Sequence, residues 1–406
     1  MIDKFVLKKT SAFLVLLLLG CGTGDGLYGH LKNRLKPSGS DDQLPIDPGS
    51  GDNGNDKDEE LVITDPIAAG LEVFNKSKMQ EELTYITRDE FNGRLSATDG
   101  NVKIADWIIG HLNDLQVEPL QSNEYRQKFK MKNGPTSGKE TSNIIAHFPG
   151  NDPNLKNEYV IIGAHMDHAG TLSLGYTCSS GSGGNNICNG ADDNGSGTIS
   201  VLNITKALAK VRKHIKRTII VMWFSGEEEG LEGSWHYTKN PIVSLEKTVY
   251  MINLDMVGYM KSYGNKLAAL GGGTSDRGEE ILKAIQDRYP ERKLQITQSA
   301  GGGSDHVPFM SKGIPGVFFH TGVSNNPNYH RTSDTPDKID YEGMLIAAKI
   351  AFETVFNVAN DENLHSGFYG ERASLVTEEE KKQSCHHLIL NPYIDKAYEI
   401  IRDGLY

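Results

Sequence analysis

The chain has 406 residues, of which 37% are hydrophobic and 23% are charged, values that are ordinary for a globular protein. That length accommodates one large α/β domain or two domains of average size. The formal net charge is −11, so the surface repels phosphate backbones and we expect no binding to nucleic acid.

The first 21 residues have the pattern of an export signal. Basic residues at the start precede an apolar run over residues 12–19, which is too short to span a membrane. The run ends on Leu18-Leu19-Gly20-Cys21, which resembles a bacterial lipobox in which Cys21 becomes the lipidated first residue. We therefore expect an exported protein, lipid-anchored through Cys21 in a bacterial cell envelope, in the periplasm or on the cell surface. An ordinary secretory signal, or an anchor that is cut elsewhere, is the alternative.

Composition divides the rest of the chain into three parts. Residues 22–61 are acidic and rich in Gly, Ser, Pro and Asp, with little to bury, which predicts a disordered tether. Residues 62–360 carry the apolar patterns of a folded domain. Residues 361–406 form a C-terminal extension, which we expect to be helical and packed on the domain.

Within the domain, helical and strand patterns alternate. Residues Val102–Leu115, Thr198–Val211 and Gly343–Val358 have apolar positions at helical spacing. Four runs are apolar throughout, as expected of strands covered on both faces: Tyr159–Ala164, Thr218–Phe224, Thr248–Leu254 and Gly316–His320. This alternation predicts an α/β fold with a mixed, mostly parallel central sheet covered by helices on both faces.

The cysteines fall into two groups. Cys178 and Cys188 bracket a loop rich in Ser, Gly and Asn, and export places them in an oxidising setting. We expect a disulfide between them, with two free thiols as the alternative. The tract Cys385-His386-His387 is a poor metal site, because three adjacent residues do not converge easily on one ion.

Acids and histidines follow the predicted strands at their carboxyl ends. In open α/β sheets, ligands bind beyond these ends, so the side chains should meet at one edge. Each residue taken alone has a structural reading, such as a turn, a helix cap or a solvated acidic face. The set comprises His165 and Asp167, Glu227 and Glu228, Asp255, His330, and the loop Gly190–Gly197 that contains Asp193.

The order of these motifs resembles one enzyme family. His-x-Asp, Asp-Asn-Gly-Ser-Gly, Glu-Glu-x-Gly-Leu, Asp and Tyr-His occur as in the co-catalytic dizinc aminopeptidases, relatives of glutamate carboxypeptidase II, glutaminyl cyclase and the transferrin receptor. The resemblance covers roughly Asp65 to Asn360. It implies that residues 62–360 are a zinc peptidase domain that removes the N-terminal residue from peptides with a free N-terminus.

The resemblance also implies roles for single residues, with two Zn²⁺ per chain. One zinc would be bound by His165 and Asp255 and the other by Glu228 and His330. Asp193 would bridge them, since the family's bridging aspartate stands three residues before the Ser-Gly pair. Glu227 would be the general base. Asp167 would hydrogen-bond the imidazole of His165, and Tyr329 would stabilise the oxyanion or be a packed aromatic residue.

Three other functions occur on related folds. A glutaminyl cyclase uses a single zinc, a dizinc carboxypeptidase cuts at the other end of the peptide, and a transferrin-receptor-like binding protein has lost the ligands. The loop after Asp193 has the peptidase form, and all five ligand positions are filled. The stretch between Asn143 and His165 is too short for the protease-associated insertion of the large carboxypeptidases. We therefore expect a metallo-aminopeptidase.

Overall fold

A computed structural model describes residues 63–174, 176–182 and 185–364. The expected signal peptide, Cys21, the tether and the C-terminal helix lie outside these residues. Among the described residues, no helix combines the length and the apolar content needed to cross a bilayer.

A single twisted sheet organises the described part of the chain. Its nine strands are β1 (Glu118–Pro119), β2 (Arg126–Lys130), β3 (Glu140–Phe148), β4 (Tyr159–His165), β5 (Thr218–Phe224), β6 (Thr248–Leu254), β7 (Lys266–Leu270), β8 (Lys293–Ile296) and β9 (Gly316–His320). The order is β1-β3-β5-β4-β6-β9-β7-β8, and β2 also pairs with β3. Strands β5, β4, β6 and β9 run parallel at the centre, whereas β1, β2 and β3 add antiparallel pairs at one side. The predicted mixed, mostly parallel α/β fold is confirmed.

Helices cover this sheet on both faces. They are α1 (Pro66–Leu71), α2 (Lys76–Ile86), α3 (Asp99–Asp114), α4 (Gly197–Lys210), α5 (Glu232–Lys239), α6 (Asp276–Gln286), α7 (His306–Met310) and α8 (Tyr341–Asn360). The larger core contains residues of α2, α3, α4 and α8, and the smaller one contains residues of α5 and α7.

The central strands contribute side chains to both hydrophobic cores, one on each face of the sheet. Side chains of successive strand residues point to opposite faces, so Ile162 of β4 joins the larger core and its neighbour Ile161 joins the smaller one. Both residues are fully buried. Burial on two faces is the reason that these strands read as continuous apolar runs.

Candidate metal centre

Three of the parallel strands deliver acidic or histidine side chains to one edge of the sheet. Strand β4 ends on His165, and Asp255 follows the last residue of β6. After β5, Gly226 adopts a positive φ of 80°, and this turn presents Glu227 and Glu228. The predicted convergence at the carboxyl ends therefore occurs.

A fourth segment adds Asp193. Residues Ala191–Ser196 form an irregular turn that leads into α4, and Asp193 and Asn194 within it have non-helical backbone angles. Asn194 fastens this turn to the end of β6: its side chain donates to the Leu254 carbonyl at 3.0 Å and accepts from the Met256 amide at 3.3 Å. The turn is thereby held against the strand that carries Asp255.

Asp192 and Asp193 have separate tasks. The Asp192 carboxylate accepts hydrogen bonds from the Gly258 amide at 2.8 Å and from the Asn326 side chain at 3.1 Å. It therefore joins this turn to two neighbouring loops. Asp193 instead lies among histidines, with Oδ1 3.5 Å from His165 Nε2 and Oδ2 3.1 Å from His330 Nε2. Asp193 is therefore the aspartate of this pair that lies beside both histidines.

The first cluster surrounds His165. Its Nε2 lies 3.4 Å from Asp255 Oδ1 and 3.5 Å from Asp193 Oδ1. Glu227 Oε2 stands slightly farther away, 3.9 Å from the same nitrogen. His165, Glu227 and Asp255 together form one group that is able to hold a metal ion.

The second cluster surrounds Glu228. Its Oε2 lies 3.1 Å from His330 Nε2, and its Oε1 lies 2.6 Å from Nδ1 of His168. His168, Asp193 and Glu228 form the other candidate metal group. His168 was not among the predicted site residues, because a third polar residue in the segment GAHMDH carries no signal of its own.

The spacing of these atoms fits zinc. Zinc bonds of about 2.0–2.2 Å arranged as a tetrahedron place neighbouring ligand atoms about 3.3 Å apart. The distances from Asp193 to His165 and to His330, and those from His165 to Asp255 and from His330 to Glu228, fall between 3.1 and 3.5 Å. Moreover, His165 Nε2 and Asp255 Oδ1 are buried without a hydrogen-bond partner among the described residues, as expected of ligand atoms.

The charges of the buried carboxylates also indicate that cations bind here. Burial, together with the neighbouring charges of Asp255 and Glu228, raises the pKa of Glu227 well above its ordinary value, although His165 opposes this. Buried carboxylates in such proximity repel each other unless positive charge lies among them. The third glutamate of the triplet is not part of this cluster: Glu229 accepts hydrogen bonds from the amide and the hydroxyl of Thr136.

Asp167 supports the site differently from what was predicted. The hydrogen bond expected from His165 to its carboxylate is absent, since His165 Nδ1 lies 3.2 Å from the Asp167 backbone carbonyl and 3.7 Å from its carboxylate. The carboxylate accepts instead from the backbone amides of Glu227 and Glu228, at 3.3 and 3.4 Å. These amides begin the turn after β5 and would otherwise lack partners. Asp167 therefore fixes both glutamates as well as His165.

Tyr329 borders the second cluster. Its ring stacks on that of His330, with centroids 3.8 Å apart, and 36% of the residue remains exposed. Burial and the nearby charges of Asp193 and Glu228 raise the pKa of its hydroxyl well above the usual value. Packing against a ligand and donation to a substrate are compatible here.

The backbone of His330 is tied to the loop that contains the two cysteines. The amide and the hydroxyl of Ser179 both donate to the His330 carbonyl at 2.8 Å, and the Thr332 amide donates back to Ser179 at 3.0 Å. The adjacent Cys178 is joined to Cys188, so the expected disulfide is present. The crosslinked loop thus supports a residue of the second cluster.

Arg94 is a further residue that the sequence did not reveal. It is fully buried, and its guanidinium donates to the carbonyls of Met166 at 3.1 Å and Gly190 at 2.9 Å, as well as to those of Ile86 and Asn189. Met166 lies between His165 and Asp167, and Gly190 precedes the turn that carries Asp193. Arg94 therefore joins two segments that shape the cluster.

An α/β fold with buried histidines and carboxylates at its strand ends defines a metallohydrolase-like centre. The family model described as "Peptidase family M28" matches residues 143–355, and the chain belongs to this family. The chain is 27% identical over 315 residues to a probable leucine aminopeptidase of Trichophyton verrucosum, covering 75% of this chain and 76% of that protein. A probable leucine aminopeptidase of Arthroderma otae is 28% identical over 310 residues, with 74% and 76% covered. The predicted family is confirmed.

Solved structures show the same fold. The LapA aminopeptidase of Legionella pneumophila superposes with a TM-score of 0.55 at 22% identity, over 73% of this chain and 75% of that one. BSAP, a zinc aminopeptidase from Bacillus subtilis, gives 0.54 at 17% identity, over 71% and 96%. A Porphyromonas gingivalis glutaminyl cyclase gives 0.56 at 20% identity, over 70% and 97%. Similar TM-scores for peptidases and a cyclase mean that the fold alone does not separate the two activities.

Proposed function

We propose that the protein is a metallo-aminopeptidase that binds two zinc ions and removes the N-terminal residue from peptides with a free N-terminus. The observation that carries this proposal is the position of Asp193, whose two oxygens face the histidines of the two clusters at 3.5 and 3.1 Å. A carboxylate placed in this way suits a pair of ions about 3.5–4 Å apart. In this arrangement His165 and Asp255 would hold one zinc, and Glu228 and His330 would hold the other.

Zinc held by these residues would supply a Lewis acid that polarises the scissile carbonyl and acidifies water. Glu227 is suited to the proton transfers, because its side chain is 12% exposed and reaches the open side of the cluster, whereas that of Glu228 is 2% exposed. Glu227 Oε2 accepts the proton of the attacking water and passes it to the leaving amine. The Tyr329 hydroxyl, which retains its proton, donates to the developing oxyanion.

Two alternatives are disfavoured by particular features. A single-zinc cyclase needs no second cluster, yet His330 Nε2 and Glu228 Oε2 lie at ligand spacing around a second position. A carboxypeptidase needs basic groups for the substrate carboxylate, whereas the residues around this centre are mainly acidic. That acidity suits the ammonium group of a free N-terminus. The relatives named leucine aminopeptidases support an apolar N-terminal residue as the preferred one.

The test is a substrate panel measured together with zinc content. Leucyl and other aminoacyl p-nitroanilides should be hydrolysed, while the same compounds with acetylated amines and C-terminal reporter peptides should not. A strong chelator should abolish the activity, and added Zn²⁺ should restore it at a stoichiometry near two. Full activity with one zinc and cyclisation of N-terminal glutamine would instead establish the cyclase alternative.

A further inference from the structure

His168 is a fully buried histidine that none of the proposed roles uses. Its ring lies against the backbone of Gly190, where an added Cβ would come within 2.4 Å of Cδ2, and its amide donates to the Arg94 carbonyl at 3.4 Å. The ring also faces that of His330, with centroids 5.7 Å apart. The side chain is therefore fixed beside the second cluster.

Two imidazoles hold the carboxylate of Glu228 between them. His330 Nε2 faces Oε2 at 3.1 Å, and His168 Nδ1 faces Oε1 at 2.6 Å. Among the described residues neither His168 Nδ1 nor Glu228 Oε1 has a partner that meets full hydrogen-bond geometry. Each of the two atoms makes its shortest charged contact with the other. Each carboxylate oxygen of Glu228 thus has its own histidine.

The distances assign different tasks to the two histidines. The 3.1 Å spacing around His330 is close to the edge of about 3.3 Å between two ligands of one zinc ion. The 2.6 Å contact of His168 is clearly shorter than such an edge, and it is closer to the distance of about 2.7–2.9 Å that a charge-assisted N–H···O hydrogen bond has. His168 Nδ1 lies 3.8 Å from Oδ2 of Asp193, the proposed shared ligand. This distance is longer than the spacing expected between two ligand atoms of one zinc ion.

We propose that His168 is a positioning residue of the second metal site: its Nδ1–H holds Glu228 Oε1, so that Oε2 alone is directed at the ion. The inference rests on the two-zinc site proposed above and adds a residue to it. A ligand whose free oxygen is hydrogen-bonded keeps its orientation, and such outer partners typically contribute about 10–100-fold to metal affinity.

Competition titrations with a chromophoric zinc chelator test this role. In His168→Leu, one of the two zinc ions should bind about 10–100-fold more weakly, while the other keeps the wild-type affinity. His168→Asn places an amide N–H near the position of Nδ1 and should recover most of the loss. His147→Leu is the matched control, because His147 is a half-buried histidine of β3 whose contact is the Glu118 carbonyl at 3.2 Å; its zinc affinities should equal those of the wild type.

A crystal structure of the zinc-loaded wild type provides a second test that does not depend on the folding of a variant. It should show His168 Nδ1 hydrogen-bonded to Glu228 Oε1 and beyond bonding distance of either ion. A zinc–His168 bond, or wild-type zinc affinities in His168→Leu, would overturn the inference while leaving the two-zinc aminopeptidase intact. A wild-type protein that binds no second zinc would contradict the proposed function itself.

Discussion

Glu227 and Glu228 are neighbours in sequence, yet their carboxylates face different histidines. Glu227 Oε2 lies 3.9 Å from His165 Nε2, and Glu228 Oε2 lies 3.1 Å from His330 Nε2. The backbone amides of both are held by the Asp167 carboxylate, so one turn directs two acids into two clusters. Their substitutions should therefore fail in different ways.

Glu227→Gln should retain both zinc ions and lower kcat by about 10²–10⁴, because it removes a proton acceptor and keeps the shape of the side chain. KM should change little, since this residue acts on water. Glu228→Gln should instead lose one zinc, and excess metal should restore part of its activity. Glu229→Gln is the matched control, because Glu229 bonds Thr136 outside the cluster. Equal modest losses with unaltered zinc content in both variants would refute the assigned roles.

Tyr329→Phe separates donation to the oxyanion from packing. Phenylalanine keeps the stack on His330 and removes the hydroxyl, so zinc content should stay at the wild-type level while kcat falls by about 10². Tyr125→Phe is the comparison, because the hydroxyl of Tyr125 bonds Asn113 and the Val117 carbonyl and not the site. Wild-type kcat in Tyr329→Phe would leave the residue with the packing role alone.

Arg94→Leu should destabilise the fold strongly. The change leaves four carbonyl groups buried around a fully buried position without their donor, which should lower the free energy of unfolding by about 3 kcal/mol or more. Arg212→Leu removes donors to three carbonyls at a half-buried position, where water replaces them, and should cost about 1 kcal/mol. Urea unfolding in the presence of a chelator measures both without a contribution from metal. Similar losses in the two variants would contradict the role of Arg94.

Cys21→Ser tests the proposed membrane anchor. The variant should fail to acquire lipid and leave the membrane fraction, while the peptidase activity of the released protein stays unchanged. Fractionation and mass spectrometry of the mature N-terminus give the answer. Continued membrane association with unaltered processing would rule out the lipobox.

The double variant Cys178→Ser with Cys188→Ser should affect stability and metal binding together. Loss of a crosslink between residues 10 apart should cost about 3 kcal/mol in the chain-entropy account. Because Ser179 holds the His330 carbonyl, the zinc bound by His330 should also be held about tenfold more weakly, with the other zinc unaffected. Peptide mapping without reduction verifies the wild-type crosslink. Undiminished affinity for both ions would show that the loop does not support His330.

The central strands and the family could be predicted from the sequence, and the reasons are physical. Strands buried on both faces produce unbroken apolar runs, and the bounds predicted for β5, β6 and β9 agree with the structure. Strands β1, β2, β3, β7 and β8 were not predicted. All five lie outside the central parallel group, and β1, β2 and β8 are short and only partly buried. The metallo-aminopeptidase class followed from the motif order and is confirmed.

The contacts between residues inside the metal centre were harder to predict from the sequence. Sequence spacing brought the proposed ligands together, but it did not show that the backbone carbonyl of Asp167, rather than its carboxylate, faces His165. Arg94 and His168 were missed, since neither belongs to a recognisable motif and both act through packing between distant segments. Contacts of this kind depend on tertiary structure, which periodicity does not encode.

The connection between the disulfide loop and His330 has a consequence for the order of maturation. A chain still inside a reducing cytoplasm lacks the crosslink, so the segment that carries His330 is less restrained there. Such a chain should bind the zinc held by His330 about tenfold more weakly until the crosslink forms. If the protein is exported as its first 21 residues predict, a given concentration of zinc would fill this site more completely outside the cytoplasm than inside it.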